Sequence, residues 1–420
     1  MNRAAAGQAK LTAAQWRFLF LLLFSVGINY IDRGNLSVAA PPLAKELAIS
    51  PAQLGVLLSS FFWTYALFQV PAGWLVDRFD VSLMYGLGFF VWSLATALTG
   101  MVNTFNTLFA FRLLLGIGEA VAFPAYSKII ANHVPETRRG LANAMVDVGT
   151  KAGPALGTLI GGLLVAHYGW RALFIGLGLG AMLWLPPWAI WAPRDRHRVV
   201  AHKEGAPGLL EILRQRSAWG TFLGLFAGNY IWYFMLTWLP SYLVKERQFS
   251  LSMMAVLGSF PFWGIAASSI TMGWLSDRLI ARGATPTRVR KTFCAAGLLG
   301  CTLILPASMI ENQLIFMGLL MVACLLFGMF SSNLWATTQT LAGPAAAGKW
   351  TGLQNCLGNM AGVTAPMITG LIVQETGLFF LAFLTAAAIS AIGAAAYLLI
   401  VGPVVPIDWR KAREATAARR

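Results

Sequence analysis

Apolar runs recur along the whole chain, separated by short polar breaks. Twelve are read as spans: 17–38, 53–76, 83–102, 106–130, 141–166, 171–192, 218–243, 252–275, 291–310, 313–340, 349–374 and 378–401. Most hold about 20–28 residues, enough to cross a hydrocarbon core of about 30 Å at about 1.5 Å per residue. One long polar stretch, "APRDRHRVVAHKEGAPGLLEILRQRS", divides them six and six. The pattern predicts an all-α membrane protein of twelve transmembrane helices. It places one bundle over 1–192, a linker over 193–217, a second bundle over 218–401 and a tail over 402–420. The alternating ten-residue segments of an outer-membrane barrel do not recur.

The two halves repeat. "GWLVDR" begins at Gly73 and "GWLSDR" at Gly273, each closing the second span of its half. In the fifth spans, Gly149, Gly153 and Gly161 correspond to Gly358, Gly362 and Gly370. Six spans in each half return the chain to the same side, so these are parallel repeats. Such repeats place a substrate site near the midplane.

Composition agrees: 57% of residues are hydrophobic and only 11% charged, against about 25% charged in a soluble domain. The net charge of +15 would suggest nucleic acid in a soluble protein, but here position explains it. Of 31 Lys and Arg, 24 fall on one side of the predicted spans and 4 on the other. By the positive-inside rule both termini and the linker are cytoplasmic. Arg3, Lys10 and Arg17 precede the apolar core of the first span, which reads as an uncleaved first helix because Asp32 and Arg33 lie between that core and any cleavage site. Cys294, Cys301, Cys324 and Cys356 lie in apolar stretches without a CxxC pair, so no metal or redox chemistry is expected.

Away from the span ends, six ionisable residues fall inside the spans: Asp32, Arg33, Arg112, Glu119, Asp147 and Lys151. All belong to the first half, and their formal sum is zero. Each would cost roughly 2.5–3.5 kcal/mol at the bilayer centre on insertion scales, so a function is the default reading. Arg112 and Glu119 stand two helical turns apart, too far for a comfortable direct pair, so partners on span one are expected. In the titrating reading, protonation of Asp32 and Glu119 leaves Arg33 and Arg112 as uncompensated cations. A bound carboxylate then restores neutrality, so proton and anion binding favour each other. The alternative is a static ion-pair cluster. Asp147 and Lys151 are four apart in the order that favours an intrahelical pair; either they pair locally or Lys151 is a further anion contact. The second half offers neutral polar and aromatic groups, among them Asn229, Tyr230, Tyr233, Ser332, Trp335 and Asn355. That asymmetry suggests one half for protons and charge and the other for shaping the substrate.

"GWLVDR" and "GWLSDR" resemble the cytoplasmic signatures of the major facilitator superfamily. "NYIDRGNLSVA", "RLLLGIGEAVAFPA", "GLANAMVDVGTKAGPALG", "GWRALF", "TWLPSYL" and "GLQNCLGNMAGVTAPMITG" together resemble its anion:cation symporter family. That family includes transporters of D-galactonate, glucarate, hexuronate and phthalate. The resemblance implies a monomeric carrier of the bacterial cytoplasmic membrane, without cofactor, coupled to protons and working by alternating access. It implies that Asp32 and Glu119 are proton sites, that Arg33 contacts the anion, and that Tyr65 supplies an aromatic hydroxyl. Asn229, Tyr230 and Tyr233 become cavity candidates on the same ground. Asp77, Arg78, Asp277 and Arg278 are expected to act as conformational latches; ordinary topology-setting charge is the plainer reading. One departure is Asp80, which stands where the family pattern has Gly, with no basic residue following.

The leading expectation is a proton-coupled importer of an organic carboxylate, most simply a sugar acid. The partners expected are a small organic anion, protons and membrane lipid, with no nucleic acid. An aromatic carboxylate, or an exporter, a uniporter or a sodium-driven carrier, is the alternative within transport. A membrane enzyme or sensor is disfavoured, because no loop can hold a catalytic domain and no nucleophile or metal cluster stands out.

Overall fold

A computed structural model describes residues 11–135, 138–193 and 207–409. Parts of the linker (194–206) and of the tail (410–420) lie outside the described residues. The chain divides into two compact units. One comprises Met1–Val199 with Leu239–Ser259, the other Val200–Trp238 with Phe260–Arg420.

The first unit holds α1 (Ala13–Glu46), α2 (Pro51–Arg78), α3 (Val81–Thr99), α4 (Phe105–Glu119), α5 (Ala122–His133), α6 (Arg139–Leu156), α7 (Gly162–Met182) and α8 (Leu185–Trp191), with a π-helical turn at Gly157–Gly161. The starts are capped as the sequence dictates. Ser50 and Gln53 form a capping box ahead of Pro51, and Thr12 and Gln15 form another. Asp80, the departure from the family pattern, is the N-cap of α3, its carboxylate accepting from the Leu83 amide at 2.8 Å. Pro124 cannot donate to the Ala120 carbonyl, and its ring crowds that carbonyl, so the fourth span breaks between α4 and α5 immediately after Glu119.

In this unit α1 packs on α6 and α7, α7 on α3, α3 on α4, α4 on α2, and α2 returns to α1. The helices thus enclose an axis toward which α1, α3 and α4 all turn side chains. Glycines at four-residue spacing let α6 approach α1 closely. A Cβ on Gly149 would meet Val26 at 2.9 Å, and one on Gly153 would meet Tyr30 Cβ at 2.6 Å and the Gly27 carbonyl at 2.8 Å.

The second unit holds α9 (Leu209–Leu213), most of α10 (Arg216–Lys245) and of α11 (Leu251–Ala281), α12 (Pro286–Cys301), α13 (Ile304–Met309), α14 (Gln313–Thr376), α15 (Phe380–Ala395) and a π-helical turn at Ala396–Ile400. Its α14 packs on α10 much as α6 packs on α1: a Cβ on Gly358, the counterpart of Gly149, would meet Leu225 at 2.6 Å.

Among the described residues, eleven helical segments are long and apolar enough to cross a membrane. One of them, Leu141–Trp191, has 51 residues, about 77 Å at about 1.5 Å per residue. It is two crossings that meet at Gly169, whose φ of 81° ends the helix. Counted so, the twelve expected spans are present. Gly343, with φ 63°, likewise splits the 64-residue α14 into the tenth and eleventh spans.

The repeat is also written in the backbone. Ala48 (φ 50°) and Gln248 (φ 56°), 200 positions apart, are the two non-glycine residues of left-handed conformation among the described residues. Gly169 and Gly377 (φ 71°) turn the chain between the last two spans of each half.

Gly153→Ala should strain the seam between α1 and α6 by about 1–3 kcal/mol, the usual cost of overpacking. The purified protein should melt at lower temperature in detergent. Gly176→Ala, where an added Cβ meets nothing within 4 Å, should melt as wild type.

Candidate functional site

Adjacent residues on α1 face in directions about 100° apart, and this separates Asp32 from Arg33. Arg33 turns toward α2 and α4. Its Nε donates to Glu119 Oε2 at 3.0 Å, joining the first and fourth spans. Its guanidinium lies over the rings of Tyr65 (4.5 Å), Tyr30 (4.6 Å) and Phe61 (5.2 Å). Arg112, two turns before Glu119 on the same helix, sets its own guanidinium over the same Phe61 ring at 5.5 Å. Phe61 and Tyr65 stand one turn apart on α2 and stack at 5.2 Å. Two cations therefore share one aromatic platform, which favours them through the ring quadrupole.

Asp32 has no guanidinium partner among the described residues. Its Oδ1 accepts from Asn35 Nδ2 at 3.0 Å, and Thr96 of α3 lies beside its carboxyl group. Asn29, one turn earlier on α1, lies beside the Glu119 carboxyl group. All four ionisable groups are at most 4% exposed. Breaking a buried pair of this kind leaves an uncompensated charge and costs about 3–5 kcal/mol.

Charge is not balanced group by group. Glu119 answers Arg33, but no ion pair joins Arg112 to a carboxylate among the described residues, and its Nε lacks a hydrogen-bond partner there. Arg112 over Phe61 thus feels the charges of Glu119 and Asp32 without a direct contact to either. Such an arrangement is suited to a mobile anion.

Residues 22–366 match the family model described as Major Facilitator Superfamily. The chain belongs to that superfamily. Relatives of nearly equal length narrow the resemblance. The chain is 30% identical to the probable galactarate/D-glucarate transporter of Bacillus subtilis strain 168, across 96% of this chain and 95% of that one. It is 30% identical to the hexuronate transporter of the same organism, across 92% and 94%. It is 29% identical to the D-galactonate transporter of Escherichia coli O6:H1, across 92% and 95%. The crystal structure of a bacterial homologue of the human lysosomal transporter Spinster matches with a TM-score of 0.80 at 18% identity, across 93% of this chain and 97% of that one, which bears on the fold. The chain is a multi-pass membrane protein of a transporter superfamily, not of an enzyme family.

For this superfamily member the first unit brings together Asp32, Arg33, Tyr65, Arg112 and Glu119, all expected from sequence. Of the two readings of Lys151, the local pair is present: its Nζ donates to Asp147 Oδ1 at 2.6 Å on α6, and Asp147 is largely exposed. Sequence reasoning missed Phe61 and Tyr30 as supports for the guanidinium groups. The i, i+4 spacing of Phe61 and Tyr65 was the available signal. It also missed Asn29, Asn35 and Thr96.

In the second unit the expected residues divide. The Tyr233 hydroxyl donates to Asn359 Oδ1 at 2.9 Å, tying α10 to α14. Tyr230 is buried, with a hydroxyl that has no partner within the described protein. Ser332 donates to the Met329 carbonyl at 3.1 Å. Asn229, Trp335 and Asn355 are half-buried. At the repeated signatures, Arg78 and Arg278 are exposed and each lies over the tryptophan four residues earlier, Trp74 at 5.3 Å and Trp274 at 4.9 Å. Asp277 is exposed, and the side chain of Asp77 lies outside the described residues.

Glu119→Leu should destabilise the purified protein by about 3–5 kcal/mol through loss of the buried ion pair with Arg33. Adding Arg33→Met should recover most of that loss. Thermal unfolding of the three proteins checks this, and a double variant no more stable than Glu119→Leu would contradict the pairing.

Proposed function

We propose that this chain is a secondary active transporter that imports an organic carboxylate, a sugar acid, together with protons by alternating access. It works as a monomer in the bacterial cytoplasmic membrane, with both termini inside, and the coupling ion is H⁺ with no cofactor. The observation that carries the reading is the pair of buried guanidinium groups over Phe61, one of them bonded to the Glu119 carboxylate. When Glu119 is ionised it satisfies Arg33 and competes with an incoming carboxylate. When Glu119 takes up a proton, Arg33 and Arg112 together offer two cations to one anion, and a bidentate carboxylate fits their planar forks. Proton and substrate therefore bind with positive coupling, and by linkage each strengthens the other.

The named sugar-acid relatives support the substrate class. An aromatic carboxylate is the second reading, and the rings of Tyr30, Phe61 and Tyr65 around Arg33 favour it.

Thermal-shift titration with aldonates, aldarates, uronates and aromatic acids separates the two readings, since a ligand that binds only the folded state raises its melting temperature. Stabilisation by a sugar acid alone is expected. Arg112→Leu should abolish that shift; a retained shift would remove Arg112 from the anion site. In sodium-free liposomes an imposed pH gradient should drive wild-type accumulation. Glu119→Gln should lose accumulation yet still exchange substrate, and uphill uptake by this variant would refute the proton role.

A further inference from the structure

A glycine stands between the two charged groups of α4. A Cβ on Gly116, four residues after Arg112 and three before Glu119, would overlap the Thr64 hydroxyl and the Phe61 carbonyl of α2 and stand 3.0 Å from the Tyr65 amide nitrogen. The backbone that joins the two platform rings therefore rests directly on α4, between its cation and its acid. One hydrogen bond holds that contact in register. The half-buried Thr64 donates its hydroxyl proton to the Leu113 carbonyl at 2.7 Å, one residue beyond Arg112. Helical residues rise by about 1.5 Å each, so a bond to one carbonyl fixes the depth of α2 against α4 to within a fraction of that step.

The two guanidinium groups differ in how much they depend on that depth. Arg112 lies 5.5 Å from the centre of the Phe61 ring, close to the distance of about 6 Å beyond which a ring no longer favours a cation. Arg33 lies closer to Tyr65, at 4.5 Å, and is bonded to Glu119, so a small slip of α2 costs it less. Binding groups must be held within about 0.5 Å of their working geometry. We propose that Thr64 is a positioning residue for anion binding. With Gly116 beneath it, its bond to Leu113 sets the depth at which the Phe61–Tyr65 platform meets Arg112, and so holds that guanidinium where a carboxylate engages both cations. The proposal rests on the reading of Arg112 as an anion contact.

The second unit carries the same clamp without the charges. Ser268 donates to the Leu325 carbonyl, and a Cβ on Gly328 would overlap the Ser268 side chain and stand 2.8 Å from the Ser269 nitrogen. Position for position, Cys324 stands where Arg112 does and Ser331 where Glu119 does, while Ile265 and Ser269 replace Phe61 and Tyr65. The frame is common to both units, and in the first its register also sets a cation on a ring. The two roles are therefore separable. Removing either hydroxyl loosens a helix seam, but only Thr64 holds an aromatic platform against a guanidinium.

Calorimetric titration of the purified protein and its variants tests the assignment. The probe is whichever of D-glucarate, D-galactonate and D-glucuronate raises the wild-type melting temperature most. Thr64→Val should raise Kd about tenfold. Thr64→Ser, which restores the donor, should return it to within about twofold of wild type. Ser268→Ala should bind as wild type, although it removes the equivalent bond. A wild-type Kd in Thr64→Val, a failure of Thr64→Ser to rescue, or an equal loss in Ser268→Ala overturns the proposal; the last would mean that any loosened seam weakens binding. Arg112→Leu separates the two levels. If it binds as wild type, or if none of the three acids binds the wild type, the anion reading fails and the positioning role falls with it. If Arg112→Leu loses binding while Thr64→Val keeps it, the anion reading stands and the positioning role is wrong.

Discussion

A guanidinium and a carboxylate, 3.0 Å apart between the first and fourth spans, set the terms for the rest of the first unit. In a low-dielectric interior neither ion tolerates loss of the other, so both helices must present these groups at one depth and one angle. The surrounding choices follow from that demand. Phe61 and Tyr65 supply π-faces where water would otherwise solvate the cations. The break after Glu119, forced by Pro124, ends the helix beside the acid. Arg112 adds a second cation that no carboxylate among the described residues contacts directly. The site is therefore an arrangement of charge whose neutrality depends on what else is bound.

Much of the fold was legible in the sequence because membrane spans are written in length and hydropathy. The positions of the spans, the repeat and the six intramembrane charges could all be read directly. The kinks at Gly169 and Gly343 fall in the short breaks between runs. What could not be read was partnership. Sequence adjacency made Asp32 and Arg33 look like a unit, but a helix turns consecutive residues to different sides. Arg33 meets Glu119, while Asp32 meets Asn35 and Thr96. Nor did periodicity reveal that Thr96 of α3 stands beside Asp32, because it looks like ordinary small-polar packing in an apolar run. Asp80, which read as a departure from the family pattern, is a helix cap, a local use that a motif comparison does not weigh.

The two halves keep the same backbone grammar and diverge in chemistry. Left-handed residues at Ala48 and Gln248, stacked arginines at Trp74 and Trp274, and close glycine contacts at Gly149 and Gly358 recur in both. The hydroxyl clamp between the second and fourth spans recurs as well: Thr64 donates to the Leu113 carbonyl at 2.7 Å, and Ser268 donates to that of Leu325, in each case three residues before a glycine. The buried charges do not recur. Duplication preserved what holds helices together, and the polar groups at the centre of each unit were free to specialise.

The glycine seam has a consequence beyond closeness. A helix pinned by backbone contact on one side cannot roll, so α6 acts as a detent that sets the rotational phase of α1. With Asp32 and Arg33 about 100° apart, a roll of one residue step would present the acid to the aromatic platform and carry the cation about 100° beyond it. Fidelity of the site is thus stored in a stripe of residues that carry no functional group, and a methyl group added there acts on charge through angle alone.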